Sequence, residues 1–338
     1  IETYDVQAGA FCLAIDPQTV AVLAMASSPD FDPNSYNKII NDDLLAELEA
    51  VKAEKGEDSE EYNEALVAAQ NKQRRNRTLD ETYEPGSVFK PITVSIGLEE
   101  GIISMDSTYY CGGSKKNPDW PKPINCHKKG GHGQQNLTKA VGNSCNVALM
   151  NIAEEIGPEI TWKYWQDFGL MEKTGIDLSG EEKGIFWTEE HFKSINASLE
   201  LATSSFGQRF KVTPLEMITA FAAVINGGHL LQPYVVQSIT DGDGNTTFYH
   251  ETVEVRQVIS ESTSEKMRGI LESVVANDSG HNASQIGYRI GGKTGTSELL
   301  DRKNEPGYNK DVMCSFMGFA PADDPRVLVL VVYDTPKR

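Results

Sequence analysis

The strongest constraint on the fold lies at the two ends of the chain. Residues 8–16 and 20–26 are rich in small, apolar and β-favouring side chains, and Asp16-Pro17-Gln18-Thr19 between them carries turn chemistry, so they read as a hairpin. Residues 313–320 and 327–333 repeat the pattern across Pro321-Ala322-Asp323-Asp324-Pro325. Both ends of the chain are therefore expected in one antiparallel sheet. Between Ser87 and about Asn226 the pattern changes to helical stretches, such as residues 146–156 and 214–225, separated by Gly-rich loops. Strands at both ends with helices between them predict an α+β domain. No internal repeat or low-complexity linker divides the chain, so one cooperative domain is expected.

Residues 41–75 stand apart from this plan. Leu44, Leu45, Leu48 and Val51 recur at helical spacing, and Tyr62, Leu66 and Ala69 do so again after the Gly56-Glu57-Asp58-Ser59 break. This predicts a charged helical hairpin inserted into the domain, facing solvent. Much of the net charge of −18 lies here, between Asp42 and Glu64, and reads as a solvated helical face. Such a charge argues against nucleic acid, which requires basic patches to displace counterions. With 39% apolar and 24% charged residues the composition is that of an ordinary globular protein. The longest apolar run, residues 327–333, is far short of the roughly 20 residues that span a bilayer. The chain opens directly into strand-like sequence without an initiating Met, so it reads as an excised or processed domain with an anchor upstream.

Three short segments carry chemistry. In Glu84-Pro85-Gly86-Ser87-Val88-Phe89-Lys90-Pro91, Pro91 fits only near a first helical turn, which sets the helix start close to Ser87. The residues that follow, Ile92, Val94, Ile96 and Leu98, leave almost no polar face, as in a buried helix. Residues three apart share one side of a helix, so the Lys90 amine can reach the Ser87 hydroxyl. A buried lysine with a depressed pKa can activate a serine. The second segment is Gly142-Asn143-Ser144-Cys145-Asn146, and the third is Gly291-Gly292-Lys293-Thr294-Gly295-Thr296 after the strand-like residues 286–290. Alone, Ser-x-x-Lys is a chance occurrence, Ser144 a helix cap and residues 293–296 a surface turn. Together and in this order they form the set shared by penicillin-binding proteins and class A β-lactamases.

The chain resembles a class B, monofunctional penicillin-binding protein transpeptidase domain, including those of the sporulation-associated subgroup. Residues 25–29 with 31–34, Arg75-Asn76-Arg77, Ser205-Phe206-Gly207-Gln208 and Gly318-Phe319-Ala320-Pro321 resemble family segments at matching positions. The similarity covers nearly the whole chain apart from the hairpin, and it implies a pedestal and membrane anchor upstream of this sequence. The resemblance implies a central antiparallel sheet of about five strands flanked by helices, with a mainly helical second lobe.

It also implies a D,D-transpeptidase on the outer face of the bacterial cell membrane, anchored by an N-terminal segment and working with the membrane-bound wall-synthesis machinery. Ser87 would be acylated by D-Ala-D-Ala stem peptides of peptidoglycan, and by β-lactams, before transfer to an amine. Lys90 serves as base, Ser144 as proton relay, and Asn146 holds the substrate carbonyl. Lys293 with Thr294, Gly295 and Thr296 binds the terminal carboxylate, and the backbone N–H groups of Ser87 and Thr296 form an oxyanion hole. Catalysis needs no cofactor. The alternatives are a β-lactam-sensing receptor and a serine β-lactamase. No Glu is recognisable to activate a deacylating water, which argues against class A, and Asn146 argues against class D. Cys145, in place of the usual acid, is expected to point away from substrate and to be neutral.

Five cysteines, Cys12, Cys111, Cys126, Cys145 and Cys314, are an odd number for a disulfide framework. Cys111, Cys126 and His132, with His127 or Asp119 as a fourth group, suit a structural zinc in a loop poor in apolar residues. A Cys111–Cys126 disulfide and unpaired thiols are the other readings.

Overall fold

The computed structural model describes residues 2–194, 197–299 and 311–337. The two terminal hairpins are present: β1 (Val6–Ile15) with β2 (Val22–Ser28), and β4 (Val312–Ala320) with β5 (Val327–Pro336). A further strand, β3 (Gly291–Glu298), completes an antiparallel sheet in the order β3-β4-β5-β1-β2. The first and last strands are thus neighbours at its centre, with Phe11 opposite Val332 and Leu13 opposite Leu330. Alternation in β5 sends Leu328, Leu330 and Val332 into the core beside Phe11, Leu13 and Ile15 of β1.

Residues 286–290 are a correction to the sequence reading. They precede the strand instead of forming one, with Ile286 almost fully exposed, and the Gly-Gly-Lys-Thr-Gly-Thr segment is itself β3. Its glycines are there for contact: a Cβ on Gly291 would stand 2.3 Å from the Phe319 ring, and one on Gly292 would stand 2.7 Å from the Met317 carbonyl.

The hairpin of residues 41–75 consists of α1 (Asp42–Lys55) and α2 (Glu60–Arg74), capped by Asn41 and Ser59. Ile39, Leu44, Leu48 and Ala69 make a small core separate from the main one, and the Gln73 side chain accepts from the Ile40 and Asn41 amides, closing the hairpin at its base. Beneath it, Arg77 pairs with Glu81 and Asp334 and donates to the Ala8 carbonyl, tying the segment to β1 and β5.

The remaining helices build the second layer. α3 (Lys90–Glu99) is buried from Lys90 to Leu98. It packs among α5 (Asn146–Ile156), α6 (Pro214–Ile225) and α7 (Glu261–Asn277), while the short α4 (Leu137–Gly142) leads into α5 and α7 lies on β3. The start of α6 is fixed by a capping box in which Thr213 and Glu216 satisfy each other's backbone N–H groups, with Pro214 in the first turn. Among the described residues no helix is long and apolar enough to cross a membrane.

Candidate active site

The first motif sits at a change of helix type. Gly86–Phe89 is a 3₁₀ turn that runs directly into α3, so Ser87 and Lys90 flank one turn and the Lys90 N–H donates to the Ser87 carbonyl. The turn is anchored by Phe89, whose ring lies 4.8 Å from Phe210 and 6.2 Å from Trp165. It also needs Gly86, which has φ +58° and hydrogen-bonds through its N–H to the Gly207 carbonyl at 2.8 Å. Gly207, at φ +81°, packs so closely that a Cβ there would fall 2.1 Å from the Gly86 carbonyl. On its other side Gly86 lies against β3, where a Cβ would meet the Thr296 carbonyl at 2.7 Å. These two glycines let the Ser87 turn touch the strand edge.

β3 is an edge strand, which determines what it offers the cleft. Residue 299 bonds inward, its N–H donating to the Asp311 carbonyl, so by the two-residue period the even positions turn their backbone groups outward. The Thr296 carbonyl, facing Gly86, fits that phase. The Thr296 N–H therefore points to the same open edge. Ser87, near the start of a helical segment, has an N–H with no intrahelical acceptor. Through the Gly86 contact the Ser87 turn and the Thr296 edge lie against each other.

The second motif is held in an unusual backbone. Ser144 has φ +48°, a left-handed conformation that costs a non-glycine residue about 1–2 kcal/mol. The Ser144 and Cys145 N–H groups donate to Val141 and Ala140 at the end of α4, which fixes the turn. As a result both the hydroxyl and the carbonyl of Ser144 face Lys90. Lys90 Nζ donates to Ser144 O at 2.6 Å, Ser144 Oγ at 2.9 Å and Asn146 Oδ1 at 2.8 Å. Lys293 Nζ reaches the same Ser144 Oγ at 3.0 Å and the Thr294 carbonyl at 3.0 Å. Asn146, with its oxygen on Lys90, turns its amide nitrogen to the Asn125 carbonyl at 3.4 Å.

Both lysines are fully buried while Ser87 and Ser144 are half-buried. Burial pushes the Lys90 pKa down to about 7, against the opposing pull of Cys126 and Cys145. Burial, and then the charge of Lys90, hold Lys293 well below the usual lysine range. The Ser144 hydroxyl has two lone pairs and one proton, so it can accept from one amine and donate to the other. The arrangement is a buried chain of hydrogen bonds from Lys293 through Ser144 to Lys90, one helical turn from Ser87.

Of the residues singled out from the sequence, Lys90, Ser144, Asn146, Lys293 and Thr294 are joined by hydrogen bonds, and Gly86 sets the Ser87 turn against Thr296. Gly295 is tightly packed, and a Cβ there would stand 2.3 Å from Ser315 Oγ. Gly207 belongs to the segment of residues 205–208, whose contact with Gly86 only the fold shows. The Penicillin binding protein transpeptidase domain family matches residues 10–338 of this sequence. The chain belongs to that family. Stage V sporulation protein D of Bacillus subtilis is 37% identical over 330 residues, covering 97% of this chain and 46% of that protein. The Peptidoglycan D,D-transpeptidase MrdA of Acinetobacter baumannii is 29% identical over 95% of this chain and 47% of its own length. The chain spans about half the length of the curated relatives it matches.

Among solved structures, the D,D-transpeptidase domain of an Eggerthella lenta peptidoglycan glycosyltransferase superposes with TM-score 0.80 at 24% identity, over 100% of this chain and 75% of that one. This penicillin-binding protein transpeptidase fold accounts for the five-stranded sheet and the helices behind it.

Cys111, Cys126, His132 and Cys145 lie together behind the second motif, their ligand atoms all within 4.8 Å of one another. Of the two fourth groups expected from the sequence, His127 lies 3.9 Å from Cys126 and its ring 5.1 Å from that of His132 but falls outside the set, and Asp119 is exposed outside it. Cys145 takes that place. It is buried and also caps α5, accepting from the Ala148 N–H at 3.5 Å.

Proposed function

We propose that this chain is the catalytic domain of a serine D,D-transpeptidase that cross-links peptidoglycan stem peptides through an acyl-enzyme on Ser87. The observation that carries the reading is the single Ser144 hydroxyl shared by two buried lysines at 2.9 and 3.0 Å, beside the turn that presents Ser87. The neutral Lys90 amine takes the Ser87 proton as Oγ attacks the carbonyl of the penultimate D-Ala. The resulting oxyanion is held by the Ser87 and Thr296 N–H groups. Ser144 passes a proton to the leaving D-Ala amine as the C–N bond breaks, leaving the ester on Ser87. An acceptor amine then attacks that ester, the path runs in reverse, and a new amide forms as Ser87 recovers its proton.

A substrate carboxylate entering beside Lys293 would favour its ammonium form against the effect of burial and pair with it, with Thr294 and Thr296 as hydroxyl donors along the edge of β3 and Gly295 keeping that edge flat. Asn146 directs its amide nitrogen toward the substrate carbonyl. β-Lactams present a similar carbonyl and carboxylate and enter the same path; Mycobacterium tuberculosis penicillin-binding protein 3, which shares this fold at TM-score 0.79, has been solved with aztreonam. In the complete protein this activity belongs outside the cell membrane, tethered by an N-terminal segment to the wall-synthesis machinery. The similarity to Stage V sporulation protein D favours spore-associated wall synthesis.

Intact-mass spectrometry after incubation with benzylpenicillin tests the reading. The expected result is a stable adduct of one drug per chain, absent in Ser87→Ala. Rapid loss of the adduct as hydrolysed drug would instead identify a β-lactamase, and no adduct would remove the proposal. A stable adduct without turnover of a D-Ala-D-Ala peptide plus acceptor would identify a sensor.

A further inference from the structure

We propose that Cys111, Cys126, His132 and Cys145 bind one zinc ion that joins the loop of residues 111–133 to the turn carrying Ser144 and Asn146. The inference is independent of the reaction assigned above. A tetrahedral zinc with Zn–S bonds of about 2.3 Å has ligand atoms about 3.8 Å apart. Here Cys126 Sγ lies 3.7 Å from His132 Nδ1 and 4.0 Å from Cys145 Sγ, and the whole set falls within 4.8 Å. Four soft or borderline donors at that spacing match zinc in kind and in number.

The surroundings are built for thiolates. Cys111, Cys126 and Cys145 are each buried to 4% exposure or less, and three sulfurs packed together in a dry site are poorly served by one another as thiols. Backbone N–H groups of Lys128 and Asn146 face Cys126, and that of Ala148 faces Cys145, an arrangement that stabilises sulfur carrying negative charge. The loop itself is folded to deliver the donors. Cys111 ends one short strand (Thr108–Cys111), paired with Gly133–Asn136 just beyond His132. Between them Gly131, at φ +73°, approaches so closely that a Cβ would lie 2.1 Å from the Cys111 carbonyl. The Cys126 N–H donates to the Gly113 carbonyl at 2.9 Å.

Zinc would displace the three thiol protons and leave a site of net charge −1. Its position explains why a cysteine stands between Ser144 and Asn146: the side chain that faces away from the cleft grips the ion, while its neighbours on either side grip Lys90. The ion is structural, because all four positions are taken by protein and none is left for water or substrate.

The test is the zinc content of the whole chain purified without chelator, followed by metal removal under reducing conditions and titration with cobalt(II) alone. One zinc per chain is expected, and cobalt should give the intense visible and thiolate charge-transfer bands of a tetrahedral sulfur-rich site. Cys126→Ser and His132→Ala should weaken cobalt binding by more than the roughly 10–100-fold of an outer-shell change, whereas His127→Ala should keep it. The cobalt spectrum of the unaltered chain stands even where a variant fails to fold. Absence of both zinc and cobalt bands, a mass showing a disulfide among these cysteines in freshly isolated protein, or equal loss in His127→Ala would each overturn the proposal.

Discussion

At the scale of single residues, the site depends on one hydroxyl doing two jobs. Ser144 Oγ lies within hydrogen-bond distance of Lys90 and of Lys293, and both amines are out of contact with water. Because burial lowers the Lys90 pKa to about 7, the neutral amine dominates above that pH and the ammonium below it. The acylation rate with benzylpenicillin should therefore be flat at alkaline pH and fall by about tenfold per unit below about pH 7. Stopped-flow acylation across pH checks this, and a flat profile down to pH 5 would exclude Lys90 as the base. Lys90→Ala should lower the rate by about 10²–10⁴ while leaving noncovalent drug binding measurable. The three motifs were legible because each is a contiguous run with its own chemistry. The grouping of Cys145 with Cys111, Cys126 and His132 was not legible, because only the folded loop brings those residues near its sulfur.

At the scale of elements, the cleft exists because a 3₁₀ turn and a strand edge touch through Gly86. The Gly86→Ala variant places a methyl 2.7 Å from the Thr296 carbonyl at a φ of +58°, and neither backbone can yield without moving the Ser87 turn or the Thr296 edge. It should lose at least about 1–2 kcal/mol of stability and at least tenfold in acylation, seen as a lower Tm and a slower adduct in one preparation. Loss of stability with unchanged acylation would show that the contact is only packing. Helices at residues 146–156 and 214–225 were legible to the residue, since their apolar period is local, although the cap of the first is Cys145 and not Ser144. The strand at 291–298 was misplaced for the opposite reason. Its glycines look like turn residues until Phe319 and Met317 of β4 are seen to need the space.

At the scale of the whole molecule, α1 and α2 form a unit with its own small core, and the base is closed by Gln73 on Ile40 and Asn41. Replacing residues 42–72 by a short Gly-Ser linker joins points already held together, so the loop-closure term changes little. The shortened chain should fold and be acylated within about twofold of the parent, because the motifs share no hydrogen bond with the hairpin among those described. Failure to fold would mean that Arg77 and its partners require the hairpin above them. The helical character of this region was plain from spacing, but its attachment through Arg77 to Asp334 was not, because that pair links positions 257 apart.

The strand order has a bearing on how the chain acquires its structure. β5, the last of the five strands in sequence, lies between β4 and β1, so the hairpin of β1 and β2 cannot join the rest of the sheet until β5 arrives. During synthesis the early strands must wait with one edge unsatisfied, a slow and aggregation-exposed interval for any protein dominated by such distant pairings.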